Sequence, residues 1–426
     1  MLNLNFFSSK LLDRCTTTVL TGTLPTTSSG AGDLLLYLSC VKKLRVLFVP
    51  CPSVEAYSFA ALKLFKSLCL FRYQEAIAIS YSLSLGVFFL LFPRLLSYSH
   101  SILLVSYNLL NPRIYPFLPP GTSVYHLDSS FFCFKGYNWH HSSPLKPCFA
   151  CLDYVHYKSP QLYRTIAECL DKSSSNINNS IAKNIGFLNE NVSIHYVQTD
   201  GQKSLLSQLL LSSSTAISVT GMLSYSAHSF LNPSSILRDL PDEFLCSTAK
   251  IITIDGFDLD RRTNEYIVLC HAALSGPKGF PYISYLASAN PQILFIYPLQ
   301  SRIKAPLDSP NNIKYVRSSW STNLRDLLMI TDLTIIPSVW SSPIEASLLK
   351  SLWYAPNVSF LSISTKRQVA NEFQKLVDFI IDSPDMALQP HISNLKSTIS
   401  IQMSSQKLVK RRKLMLDVVS KFSFPI

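Results

Sequence analysis

Short aliphatic and β-branched runs alternate along this 426-residue chain with longer stretches whose apolar positions recur every three or four residues. In the first half, "TTTVLTG" (16–22), "LRVLFVP" (44–50), "EAIAIS" (75–80), "ILLVSYN" (102–108) and "TSVYHLD" (122–128) read as buried strands. Helical stretches fall between them at "DLLLYLSCV" (33–41) and "YSFAALKLFKSLCLF" (57–71). Strand patterns resume at "NVSIHYVQ" (191–198) and "TAISVTGM" (215–222). From about residue 240 the alternation restarts. "AKIITIDGFD" (249–258) is a strand ending in a Gly turn, and "EYIVLCHAAL" (265–274), "QILFIYPL" (292–299) and "LTIIPS" (333–338) are further strands. "GFPYISYLASAN" (279–290), "TNLRDLLMITD" (322–332) and the stretch after Pro343 are helices. Strand and helix in this rhythm predict an α/β chain with two doubly wound, Rossmann-like domains facing a cleft. The expected division is 1–245, 246–402 and a C-terminal basic helix, 403–426, crossing back to the first domain.

Three stretches depart from the rhythm. Residues 129–160 are rich in aromatics, His and Cys and read as a long irregular loop, and "DKSSSNINNS" (171–180) reads as a polar connector. "AIAISYSLSLGVFFLLFP" (76–93) carries no charge over 18 residues, the lower limit for a membrane span. With Ser, Tyr and Gly in its middle, it is expected to be a buried strand running into a buried helix.

Composition narrows the function classes. A chain 47% hydrophobic and 15% charged buries large cores and is not disordered. A formal charge of +12 suits nucleic acid, an anionic membrane surface or acidic small molecules. No zinc-finger, RRM or KH signature is present, so nucleic acid is not expected as a partner. The densest basic run, "QKLVKRRK" (406–413), is either a solvated helix face or a peripheral membrane contact. The start lacks a basic n-region, a sustained apolar stretch and a cleavage site, so a cytoplasmic protein with reduced thiols is expected.

In open parallel sheets, ligands collect at the carboxyl ends of strands, where helix N-termini point. Three turns fit. "TGTLPTTSSGAGD" places Gly22, Gly30 and Gly32 between strand and helix. "ALSGPKGF" (273–280) puts Lys278 at a helix start, suited to a diphosphate. "PSVWSSPIEASLLKSLW" (337–353) carries Ser342, Pro343 and Glu345 as S-x-x-E, the pattern of a capping box with Pro at the first helical position. Glu345 is thus either a cap or a ligand group. Cys133, Cys148 and Cys151, with His140 and His141 nearby, offer a weak zinc candidate, against packed thiols in a loop over the cleft. Asp128, at a strand end, either binds hydroxyls or caps its loop.

In order through the second half, "IITIDGFDLD", "IVLCHAALSGPKGF" and "NIKYVRSSWSTNLRDLLMITDLTIIPSVWSSPIEASLLKSL" resemble motifs of the retaining, nucleotide-sugar-dependent glycosyltransferases of GT-B architecture, the Glu-x7-Glu, family 4-like type. "VLTGTLPTTSSGAG" resembles that family's N-terminal Gly loop, and "VYHLDSSFFCFKGYNWHH" with "PCFACL" resembles an "HD…C..C" stretch of some members. The chain departs from the pattern at several positions. The Glu-x7-Glu pair falls on Ser342 and Lys350, a basic residue falls on Ala273, and the family's His falls on Leu127, with His126 one position earlier. The resemblance implies a nucleotide-diphosphate sugar as donor, no required cofactor or metal, and an acceptor that is a surface glycan or lipid-linked oligosaccharide. It also implies donor contacts from Lys278, Ser342, Glu345, Ala346, Ser347 and Lys350, with Glu345, Asp128 and His126 as catalytic candidates. The alternative is a catalytically inactive GT-B-like partner or scaffold in glycan assembly.

Overall fold

The computed structural model describes residues 17–421, except 27–29, 52–53, 171–176, 211–214, 238–250, 255–256, 261–265, 300–302, 340–343, 363–370, 398–400 and positions 100, 134, 223, 232 and 321. Two six-stranded sheets, every pairing parallel, organise the chain. The first holds β1 (Thr18–Thr21), β2 (Arg45–Phe48), β3 (Ile102–Val105), β4 (Ser123–Tyr125), β5 (Ile194–Val197) and β6 (Ala216–Val219), in the order β2-β1-β3-β4-β5-β6. After a small antiparallel pair, β7 (Ile251–Ile254) and β8 (Phe257–Asp260), comes the second sheet. It holds β9 (Ile267–Cys270), β10 (Leu294–Leu299), β11 (Ile313–Arg317), β12 (Leu333–Ile336), β13 (Val358–Leu361) and β14 (Phe379–Ile381), in the order β11-β10-β9-β12-β13-β14. Both orders are doubly wound.

The strands are apolar on both faces because both faces are covered. In β3, Ile102 and Leu104 enter one core while Leu103 and Val105 enter another. In β10, Leu294 and Ile296 point one way and Phe295 and Tyr297 the other. The covering helices are α1 (Gly30–Leu36), α2 (Val54–Cys69), α3 (Tyr73–Leu91), α4 (Ala150–Tyr157), α5 (Pro160–Leu170), α6 (Ile177–Glu190), α7 (Asp200–Ser207) and α8 (Tyr225–Phe230), then α9 (Phe280–Ala289), α10 (Leu324–Ile330), α11 (Ala346–Tyr354), α12 (Asn371–Gln374), α13 (Gln389–Ser397) and α14 (Ile401–Ser420).

Several expectations change. "EAIAIS" is not a strand: it belongs to α3, which is helical throughout. Its buried positions, Glu75, Ala76, Ala78, Ile79, Ser82, Leu85, Gly86 and Phe89, follow helical spacing, and the Ala-Ile alternation satisfies both periods over so short a run. α3 lies across β2 at Gly86, where a Cβ would overlap the Phe48 carbonyl. The strand expected within 249–258 is β7, and β8, which the sequence reading did not separate, pairs with it antiparallel; the 129–160 segment ends in α4.

The basic run on α14 is divided: Lys410 and Lys413 are exposed, whereas its two arginines turn into the fold. Met415 and Val418 enter the core under α11, together with Ala227 and Phe230 of α8. Arg411 and Arg412 are buried. Arg411 Nε donates to the Leu352 carbonyl at 2.9 Å, and its Nη2 donates to that of Ala355. Arg412 donates to the carbonyls of Trp353 and Ile236, both at 2.8 Å. The Leu352 and Trp353 carbonyls lie in the last turn of α11 and have no intrahelical donor, so the guanidinium groups satisfy them and oppose the negative end of the helix dipole.

Candidate functional site

β9 lies between β10 and β12, so the winding of the second sheet reverses between β9 and β12. The loops leaving those two strands open a crevice at their carboxyl ends, where ligands bind in such sheets. They run through 271–279 into α9 and through 337–345 into α11, and they hold two of the candidate residues, Lys278 and Glu345.

Glycine makes the close approach possible. Gly279, just before α9, has φ 82°, and a Cβ there would overlap the Pro337 carbonyl of the other loop. At Gly276 a Cβ would overlap the Trp139 ring, so the 129–160 segment reaches across to cover this loop. Tyr137 of the same segment lies with its ring 6.0 Å from Lys278 Nζ.

Lys278 Nζ lies 2.7 Å from Glu345 Oε1, with side chains 20% and 11% exposed. Ser338 Oγ donates to the same oxygen at 2.6 Å, and Ser347 Oγ donates to Oε2 at 3.1 Å. α11 begins at Ala346, and Glu345 is its N-cap residue by backbone, without a side-chain hydrogen bond capping that helix; the expected capping box rests on Ser342 and so lies outside the described residues. The Glu345 carboxylate is held by a lysine and two serines. Ser342 and Pro343 lie outside the described residues. The first amides of α11, at Ala346 and Ser347, have no acceptor within the helix.

Behind the pair, at the end of β9, lies His271. Its Nδ1 lies 2.8 Å from Ser351 Oγ, and burial lowers its pKa to about 3, with Lys350 acting in the same direction and Glu345 opposing. Lys350 is not a solvent-facing lysine. Its Nζ sits 4.4 Å from the Trp320 ring centroid, and burial lowers its pKa, with the Asp33 carboxylate opposing. Asp33 belongs to the first turn of α1 and accepts from Ser224 Oγ, just before α8. The Gly30–Gly32 turn thus opens a helix whose acidic residue faces the helix carrying Lys350.

The other candidates lie elsewhere. His126 follows β4 and is 1% exposed, with Nε2 2.9 Å from Nδ1 of His195, stacked on that ring and edge-on to Tyr107 and Phe131. Burial holds it neutral, its pKa well below the usual histidine value. It is a core histidine, packed among His195, Tyr107 and Phe131. Leu127 packs on the other face of the sheet, as strand alternation requires. Asp128 Oδ1 accepts from the Ser130 amide at 2.8 Å and packs against Gly136, so it closes its own loop. Burial raises its pKa. Cys133, Cys148 and Cys151 pack with Phe131, Phe132 and Phe149 in the first core. Among the described residues no three His, Cys, Asp or Glu side chains are placed to hold a metal ion, so the zinc candidate is not assembled.

Sequence reasoning missed Ser338, His271, Tyr137 and Trp139. Ser338 and His271 each fall within two residues of the end of a strand at the winding reversal, which is a readable signal. The reach of Tyr137 and Trp139 depends on tertiary contact and leaves no local pattern.

Neither a protein-family model nor a curated protein matches the chain. Solved structures do. The Anabaena protein Alr3699/HepE in complex with UDP-glucose superposes with a TM-score of 0.50 at 11% identity, covering 95% of this chain and 96% of that one. The same protein in complex with UDP gives 0.50 at 10% identity, covering 96% and 97%. The likeness spans both sheets and shows the fold, two Rossmann-like domains in the GT-B arrangement.

Proposed function

We propose that this chain transfers a sugar from a nucleotide-diphosphate donor to a glycan or lipid-linked acceptor, with retention, in the cytoplasm. The donor binds at 246–402 and the acceptor at 1–245. One observation carries the reading. Lys278 and Glu345 meet at 2.7 Å where the winding of the second sheet reverses, beside the N-terminus of α11.

The chemistry follows from those groups. Departure of a nucleoside diphosphate leaves negative charge on its terminal phosphate and positive charge on the sugar. Lys278 and the amides of Ala346 and Ser347 meet the phosphate charge. When Lys278 turns to the diphosphate, Glu345 keeps the Ser338 and Ser347 hydroxyls as donors and accepts from a sugar or ribose hydroxyl. Lys350, beside Trp320, adds positive potential from behind. Arrival of the donor therefore exchanges one partner of Lys278 for another.

A second reading, an inactive partner protein in glycan assembly, draws on the same contact. With Ala273 in place of a basic residue, Lys278 has Glu345 as its ion-pair partner, and a protein that never binds nucleotide has no reason to release it. Calorimetric titration with a panel of nucleoside diphosphates, followed by donor hydrolysis with the matching sugar and NMR of the released anomer, separates the two. Saturable binding and a retained anomeric configuration support transfer. Absence of nucleotide binding supports the partner protein.

A further inference from the structure

We propose that the outward faces of α2 and α3 form a docking surface for a membrane carrying anionic lipid, on which the protein lies without spanning it. Of the twenty large hydrophobic side chains exposed among the described residues, thirteen fall between Phe59 and Leu95. Single exposed apolar residues are ordinary on a soluble surface, but so dense a cluster marks an interaction face.

The cluster has an order that chance exposure would lack. In α2 the inward stripe is Tyr57, Ala60, Leu64 and Ser67, while Phe59, Leu62 and Phe65 face out at 52%, 56% and 65% exposure. The larger apolar groups therefore lie on the solvent side, the reverse of a soluble amphipathic helix. α3 repeats this with Tyr73, Ile77, Val87, Phe88 and Leu91 facing out. By length and composition α3 could cross a membrane, yet its inner face is packed on β2 through Gly86, so only its outer face is available. At the turn between the helices Phe71 is 74% exposed with φ 55°, and its ring lies 6.1 Å from that of Tyr73. The left-handed backbone belongs to the cap that ends α2, where the Phe71 amide donates to the Leu68 carbonyl at 3.0 Å and the Arg72 amide donates to that of Ser67 at 2.9 Å, and this cap presents the Phe71 ring outward.

Charge selects lipid over a second copy of this chain. Between Val54 and Tyr98 the cations are Lys63, Lys66, Arg72 and Arg94, and the carboxylates are Glu55 and Glu75. Glu75 is buried, 3.7 Å from Arg72. A twofold contact through this patch would set the same cations face to face. An anionic bilayer complements them, while the apolar side chains enter the headgroup boundary.

The test is flotation of the full chain with vesicles of phosphatidylcholine alone and of phosphatidylcholine mixed with phosphatidylglycerol. The variants are Phe65→Ser with Phe71→Ser, Lys66→Glu with Arg94→Glu, and Leu307→Ser as a control at a 99% exposed site outside the patch. Unchanged melting curves establish folding. Expected are preferential flotation with the mixed vesicles, a loss of roughly tenfold in affinity per removed aromatic side chain, and no change in the control. High salt and the charge variant remove the preference for anionic lipid. Equal flotation of the aromatic variant and the unaltered chain overturns the proposal. So does light scattering that finds a dimer which the aromatic variant dissociates, because the face would then belong to a second copy. Both results are read without nucleotide, so they are independent of the cleft chemistry.

Discussion

Replacing Arg412 by Leu removes the anchor between α14 and the end of α11. Arg412 is 0% exposed, donates at 2.8 Å to the carbonyls of Trp353 and Ile236, and sits 5.2 Å from the Trp353 ring centroid. Each hydrogen bond from a charged donor contributes about 1.5–3 kcal/mol, and the variant leaves the buried Trp353 carbonyl and the half-buried Ile236 carbonyl without this donor. Contact with the ring adds ~0.5–2 kcal/mol. Against these stands the several kcal/mol of desolvation that the guanidinium no longer bears and the apolar volume that Leu supplies. The net expectation is a loss of about 3 kcal/mol. At ~2–4 °C per kcal/mol for a domain of this size, that is a fall in Tm of roughly 6–12 °C. Urea denaturation followed by tryptophan fluorescence, with Trp353 beside the change, reads the shift in midpoint. Lys410→Leu, an exposed neighbour on the same helix, is expected to stay within ~0.5 kcal/mol. A loss below ~1 kcal/mol for Arg412→Leu, or equal losses for both variants, would refute the capping role.

Acid should weaken the first domain. Burial holds His195 at about 4 against an ordinary 6.5, so the unfolded chain binds a proton where the folded one does not. That contribution, about 3 kcal/mol, is fully present above about pH 6.5 and is lost as pH falls towards 4. His271, at about 3, acts with the same sign in the second domain. Melting temperature followed against pH should drop through this window, and His195→Gln should make the drop shallower. Gly279→Ala has to place a Cβ at φ 82° against the Pro337 carbonyl, so a loss above ~2 kcal/mol and a weakened nucleotide titration are expected together.

Much of the fold was legible because buried parallel strands are apolar on both faces, and short runs such as "ILLV" and "LTII" announce themselves without tertiary help. The reading failed where one pattern satisfied two periods, as in "AIAI", and where a polar pattern concealed a tertiary use. The basic residues of "QKLVKRRK" suggest solvent or phosphate, but Arg411 and Arg412 serve backbone carbonyls of another helix, which no local pattern encodes. The same limit applied at the site. Ser342-x-x-Glu345 has the spacing of a capping box, but no local pattern signals that Lys278, 67 residues earlier in the chain, comes within 2.7 Å of the Glu345 carboxylate. His126 was placed correctly at the end of a strand. Only the fold showed that His195 of the adjacent strand fills the space beside it.

The Lys278–Glu345 pair is tested most directly by titrating a nucleoside diphosphate such as UDP into the unaltered chain, Lys278→Ala and Glu345→Gln. If the pair is a donor site that exchanges partners, the unaltered chain binds saturably and Lys278→Ala weakens binding about tenfold or more. Glu345→Gln, which frees the ammonium, then binds the diphosphate at least as tightly while losing sugar transfer. If no nucleoside diphosphate binds, or if all three proteins bind it equally, the crevice at the winding reversal is not a donor site.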